Sequence, residues 1–260
     1  MPFDPESAAC FLDAAHANRQ DYQNLPEGVA PTTLAQAYAA QEALARLWAP
    51  RLGAVAGLKI ATTTKVMQEL MGIDQPCGGI IFESRVYRSP ALRPLGAYTH
   101  LMVECELAVR LAADLSGNAS GYSRDTVRAA VGEVMAAFEL IEDRNAHYKS
   151  TNALSLIADN AWNAGVVLGP SRPICPDMDL DAMEGQLTIS GDGARHTGRT
   201  DDPLGALAWI ANLAVSRGRP LRAGQIVITG SVIATLPIAA DQTFAFTLTG
   251  LDEVVLTATP

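Results

Sequence analysis

VECELAVRL, residues 103–111, alternates residue by residue between two kinds of side chain. In a β-strand, alternate side chains share a face. Val103, Cys105, Leu107, Val109 and Leu111 then form one apolar face, and Glu104, Glu106, Ala108 and Arg110 form the other. The apolar face reads as core. The opposite face brings two like charges close together, and their repulsion calls for something positive between them, a basic side chain or a metal ion. Alternatively, the pair lies on the solvent face of an edge strand and needs neither.

A third carboxylate, Glu139, stands in AFELIEDR, residues 137–144. If this segment is also a strand, Glu139 shares a face with Ile141 and Asp143, opposite Phe138 and Leu140. Three carboxylates plus water make a hard oxygen site that suits Mg²⁺ or Mn²⁺ and suits zinc poorly. Glu139 could instead pair with Arg144 or Lys149. The four histidines show no metal-ligand spacing.

Around these segments the chain reads as α+β. A helix is predicted over residues 5–20, and a clearer one over LAQAYAAQEALARLWAPRLG, capped by Thr32 or Thr33. This gives a helical segment over 1–53, followed by a β-rich domain over 54–260. In that domain GAVAGLKIATT reads as a strand, TKVMQELMG as a short helix, and GGIIFESRVYR as one strand or two. Ser123 caps a predicted helix through RDTVRAAVGEVMAAF, with Val127, Ala130, Val131, Val134 and Phe138 on one side. FELIED alternates, so that helix could stop before Phe138. From Gly185 onward strands and turns dominate, interrupted by a helix at PLGALAWIANLAVSRG that Pro203 opens.

Composition limits the function classes. The chain has 260 residues, enough for one large core or two unequal lobes. A formal net charge of −9 argues against nucleic acid as the main partner. No apolar run approaches the ~20 residues of a spanning helix, so no membrane association is expected. The N-terminus is acidic where an export signal would be basic, and Cys10, Cys77, Cys105 and Cys175 are scattered, which together point to a reducing cytoplasm.

GLKIATTTKVMQ (57–68), VECELA (103–108), AFELIEDR (137–144), IADNAWNAGVVLG (157–169) and LAWIANLAVSRGRPLRAGQIVITGS (207–231) follow one another in an order that resembles the 2-oxo-pent-4-enoate hydratase and 4-oxalocrotonate decarboxylase family, relatives of the fumarylacetoacetate hydrolases. The resemblance covers nearly the whole chain. It implies a mixed β roll preceded by a helical segment, and a homo-oligomer, with a related pathway enzyme as a further partner. It implies that Glu104, Glu106 and Glu139 hold Mg²⁺ or Mn²⁺, and that Lys59, one of three lysines, faces the substrate as the catalytic residue. The substrate would be a small 2-oxo or 2-hydroxy dienoic acid from aromatic ring cleavage, hydrated through a metal-chelated enolate. The alternatives are decarboxylation of a 2-oxo-enedioic acid such as 4-oxalocrotonate, or a non-catalytic homologue that docks onto an enzyme. Cys77, Asn160 and Ser231 are further candidates for substrate contact. A turn hydroxyl for Ser231 and a backbone-capping side chain for Asn160 are the plain alternatives. Three positions depart from the pattern: Cys77 stands where relatives carry an aspartate, Met102 where they tend to carry an arginine, and ATTTK where a glycine and leucine often follow the lysine–hydrophobe pair. A thiol does not replace a carboxylate as general acid or base, so these departures bear on water addition more than on metal binding.

Overall fold

Asp4 opens the first helix by accepting hydrogen bonds from the Glu6 and Ser7 amides, both at 3.2 Å. The computed structural model describes residues 2–117, 119–191 and 193–260. Helix α1 (Pro5–Ala17) turns Ala8, Ala9, Leu12 and Ala15 inward. Helix α2 (Leu34–Leu52) is capped by Thr33 and stops at Gly53, whose φ of 84° a side chain would resist. The two helices pack on each other and on Ile80 and Phe82.

The strands follow. They are β1 (Val55–Ala61), β2 (Cys77–Phe82), β3 (Val86–Arg88), β4 (Ala91–Pro94), β5 (Leu101–Leu111), β6 (Val131–Glu142), β7 (Asn163–Leu168), β8 (Arg172–Pro173), β9 (Glu184–Ile189), β10 (Arg195–Arg199), β11 (Ile226–Pro237), β12 (Thr243–Leu248) and β13 (Val254–Thr259). Between them lie α3 (Lys65–Met71), α4 (Arg124–Arg128), α5 (Ala153–Ala158) and α6 (Pro203–Ser216). One sheet runs β2-β1-β11-β5-β6-β7-β3, with β8 added on β6, and the second runs β10-β9-β12-β13-β4. Parallel pairs at β1/β11, β3/β7 and β13/β4 among antiparallel ones make this the mixed, curled α+β roll that the sequence implied.

VECELAVRL lies at the centre of the first sheet, paired to β11 on one side and β6 on the other. The edge-strand alternative for its glutamates is therefore removed. Val103, Cys105, Leu107 and Val109 face the second sheet, in one core with Phe244, Phe246 and Leu256. Phe138 joins them, its ring edge-on to Phe244 at 6.5 Å. Each such side chain contributes about 1.5–3 kcal/mol by burial. The opposite face of the sheet carries the carboxylates.

The helix expected from Ser123 is shorter than predicted. Ser123 caps it as expected, but it ends at Arg128, and Val131–Glu142 is strand throughout. β6 is buried on both faces, so its apolar residues fall at helical spacing as well as at alternation, and pairing along β5 decides between the two. No helix among the described residues is long and apolar enough to cross a membrane.

A buried ion cluster ties the helical segment to the sheet. Asp159 receives the Arg144 guanidinium at 2.5 Å and His16 Nε2 at 2.6 Å. Burial pushes the Asp159 carboxyl up, but His16 and Arg144 outweigh it and hold the group below 3.8. A depressed folded value stabilises above the unfolded pKa and is lost as pH falls through the folded one. Asp159→Asn is expected to cost about 3–5 kcal/mol at neutral pH by leaving Arg144 uncompensated. Urea unfolding at stepped pH should show this gap closing as the pH falls below about 4. A gap independent of pH would refute the assignment.

Candidate active site

The strand register gathers the predicted charges on the face turned away from the second sheet. Glu104 sits directly opposite Glu139 across β5 and β6, and Glu106 is opposite Ser231 of β11. Lys59 comes from β1, the next strand beyond β11. Carboxylate oxygens of Glu104, Glu106 and Glu139 all lie within 4.8 Å of one another. Lys59 Nζ stands 3.0 Å from Glu139 Oε1, with 2% of the Lys59 side chain and none of the Glu139 side chain exposed. Lys59, rather than Arg144 or Lys149, is therefore the partner of Glu139.

The lysine stem has room because its cross-strand neighbour is Gly79. A Cβ there would meet Lys59 Cγ at 2.9 Å and the Asn160 carbonyl at 2.8 Å. Each carboxylate is held from behind. Asn163 Nδ2 donates to Glu139 at 2.8 Å, the Gly230 amide donates to Glu106 at 2.6 Å, and the Thr235 hydroxyl donates to Glu104. β11 shifts register on either side of Ser231, and this bulge accompanies the left-handed φ of 120° at Gly230.

Two oxygens remain without a partner: Glu106 Oε1 and Glu139 Oε2, both buried. A buried acceptor left unpaired costs about 1–3 kcal/mol, more when it is charged. Three clustered carboxylates, two of them with a free buried oxygen, fit a hard divalent cation in donor type and spacing. Burial pushes Glu106 well above its usual range, with Glu139 and Glu104 adding to the effect. Burial also raises Glu139, to about 7, against the pull of Lys59. Burial works to lower Lys59, but Glu139 and Glu104 prevail and keep it an ammonium.

Lys59 and Glu104 line a cavity of about 370 Å³, and Glu106 and Glu139 lie behind them. Its polar rim includes Thr62, Thr63, Thr64, Tyr148, Ser231 and Thr235, and its wall includes Met67, Met71, Ile141, Leu156, Ala161 and Trp162. The wall turns through Asn160, Ala161 and Trp162, all left-handed, with φ of 53°, 46° and 59°. Such a run in non-glycine residues is strained and holds only where the surroundings fix it. Asn160 fixes one end, bonding the Ile80 amide at 2.7 Å and its carbonyl at 2.9 Å. Trp162 is held at the other end by edge contacts with Tyr22 at 5.0 Å and Tyr148 at 5.3 Å.

Of the remaining sequence candidates, Ser231 lines the cavity, but its hydroxyl donates to the Ile233 carbonyl. Asn160 and Cys77 lie behind the wall. Cys77 is fully buried, its sulfur lies 3.5 Å from the Thr62 oxygen, and burial pushes its thiol up. Met102 packs into the apolar cluster that includes Ile141 and Trp162. Nothing in the sequence singles out Thr235, Gly230, Asn163, Tyr148 or Trp162. Bulges in β11 break the alternation that would have placed Thr235 beside Glu104. Thr235→Val is expected to weaken Mn²⁺ binding about 10–100-fold, as loss of a ligand-orienting hydrogen bond does. A Mn²⁺ titration followed by Tm reads this directly, and wild-type affinity would dismiss the role of Thr235.

Residues 82–257 match the fumarylacetoacetate (FAA) hydrolase C-terminal family. The chain belongs to the fumarylacetoacetate hydrolase superfamily. Within that superfamily it is 31% identical to 2-keto-4-pentenoate hydratase of Paraburkholderia phymatum over 96% of this chain and 95% of that protein. It is 26% identical to 4-oxalocrotonate decarboxylase of Pseudomonas putida over 94% and 92%. The structure of 4-oxalocrotonate decarboxylase from Pseudomonas putida G7, complexed with magnesium and adipate, superposes at a TM-score of 0.88. That match has 24% identity and covers 98% of this chain and 97% of that one. The superfamily assignment accounts for the roll, and the superposition on the decarboxylase takes in the helical segment before it.

Proposed function

We propose that this chain hydrates a small 2-oxo or 2-hydroxy dienoic acid, with Glu104, Glu106 and Glu139 holding Mg²⁺ or Mn²⁺. Kinship with hydratases and a decarboxylase supports that class of lyase chemistry on small dienoic acids. The observation that carries the metal reading is the pair of buried, unpartnered oxygens on Glu106 and Glu139. The ion, when bound, supplies Lewis-acid polarisation of a substrate 2-oxo group.

The chain's own residues do the rest. Lys59 is the cation at the cavity, held in place by Glu139. Two neighbouring carboxylates keep it protonated, so it acts by charge: it binds the substrate carboxylate and favours negative charge developing on the adjacent oxygen. Thr235, Gly230 and Asn163 fix the carboxylates so that little rearrangement accompanies the reaction.

Decarboxylation of a 2-oxo-enedioic acid is the second reading. It needs the same electron sink and is favoured by the kinship with 4-oxalocrotonate decarboxylase. A scaffold that only docks onto an enzyme has no use for a lysine and two glutamates almost wholly removed from water, which costs stability. The deciding measurement is product mass from fresh 2-hydroxypenta-2,4-dienoate and from 4-oxalocrotonate, with Mg²⁺ and with chelator. Chelator-sensitive gain of one water supports hydration. Chelator-sensitive loss of carbon dioxide replaces it with decarboxylation, and no change in either refutes both. Assembly into a homo-oligomer belongs to the same proposal and is read by sedimentation velocity.

A further inference from the structure

We infer that the cavity selects 2-oxo monocarboxylates with an uncharged hydrocarbon end and rejects dicarboxylates of the same length. The inference rests on the proposed function and names its substrate class. Three observations converge on it.

The first is charge. Lys59 is the only cation among the described residues that line the cavity, and it already answers Glu139. One substrate carboxylate and its neighbouring oxygen exhaust the positive charge that Lys59 and the proposed metal provide. A second carboxylate would have to lose its water with no cation to receive it, which is costly in an apolar surround.

The second is the state of the hydroxyls. Thr62 donates to the Ala61 carbonyl at 2.6 Å, and Tyr148 donates to Asp143 at 3.0 Å. Ser231 and Thr235 donate to the Ile233 carbonyl and to Glu104. Their protons are committed, so these groups present lone pairs to the cavity, and lone pairs repel a carboxylate. Asp143, behind Tyr148, is itself a buried carboxylate that His100 holds at 2.6 Å. Thr63, Thr64 and the unpartnered Trp162 Nε1–H are neutral donors and do not balance a full charge.

The third is the wall. Met67, Met71, Ile141, Leu156, Ala161 and Trp162 all belong to one hydrophobic cluster and all face the cavity. Its volume of about 370 Å³ exceeds what a five-carbon acid fills, so hydrocarbon beyond the reacting carbons is accommodated. The two methionines on α3 are unbranched and adjust to such a group.

The test is calorimetric titration of the Mg²⁺-loaded protein with unreactive saturated acids: 2-oxopentanoate, 2-oxohexanoate, 2-oxooctanoate and 2-oxoadipate. 2-Oxohexanoate and 2-oxoadipate have the same carbon count and differ only in the distal charge. Affinity is expected to rise about fourfold for each added methylene that is buried. 2-Oxoadipate is expected to bind at least about tenfold more weakly than 2-oxohexanoate. Equal or tighter binding of 2-oxoadipate overturns the inference and leaves the proposed function standing. Failure of all four to bind overturns the proposed function and the inference with it. Met67→Arg, at a partly exposed position on the wall, is expected to raise the relative affinity for 2-oxoadipate. An unchanged ratio in a folded Met67→Arg protein would also overturn the inference.

Discussion

Glu106→Gln is expected to abolish the rise in Tm that Mg²⁺ or Mn²⁺ gives the wild-type protein and to lower turnover about a thousandfold or more. In the wild type, a cation at a hundred times its Kd stabilises by about 2.7 kcal/mol. The metal-free comparison should run the other way. Glu106 is wholly buried beside two other carboxylates, and its Oε1 has no partner. Glutamine removes one repelling charge and brings an N–H that the orphaned Glu139 oxygen can accept. The chelated variant should therefore be more stable than the chelated wild type, by about 1–3 kcal/mol. Thermal melts of both proteins with Mg²⁺ and with chelator give all four values. A Glu106→Gln protein that still responds to metal would remove Glu106 from the ligand set.

Lys59→Met should separate charge from metal binding. Methionine is close in length and keeps the packing of the stem, so what is lost is the ammonium. Without metal, Glu139 then loses its ion partner inside the sheet, at a cost of about 3–5 kcal/mol. With metal the loss should shrink, because a divalent ion compensates the same carboxylates. The metal-induced rise in Tm is thus expected to be larger than in the wild type, while turnover falls about 10²–10³-fold. The two variants move the metal response in opposite directions. If Lys59→Met also lost that response, the lysine would be supporting the carboxylates and not the substrate.

The site is legible in the sequence where local spacing settles geometry. Two glutamates one residue apart can only share a face of a strand, and FELIED alternates in the same way, so the residue pattern by itself assigns both faces of β5 and β6. What places Glu104 opposite Glu139 is the pairing register, which no local pattern encodes. The helix ends are legible too: Asp4 and Thr33 cap as such residues do, and Gly53 stops α2. The stretch from Val131 to Ala137 reads wrongly as helix because a strand buried on both faces carries apolar residues at every spacing. Thr235, Gly230 and Asn163 are out of reach for a different reason. Their role lies in which backbone bulges, and bulges are fixed by tertiary pairing.

The left-handed turn at Asn160, Ala161 and Trp162 has a consequence for how substrate range could change. A wall held by a clamped, strained turn has its shape before any ligand arrives, so binding demands little rearrangement there. The same rigidity makes the turn a poor place to remodel. A β-branched residue at 161 would meet a backbone conformation that resists it, and loss of the Asn160 amide would release β2 from the turn. Changes in chamber size or polarity are therefore expected to accumulate at Met67, Met71 and Leu156, on the short helices α3 and α5. One side of the chamber is a fixed die, and the other is the part that variation can recut.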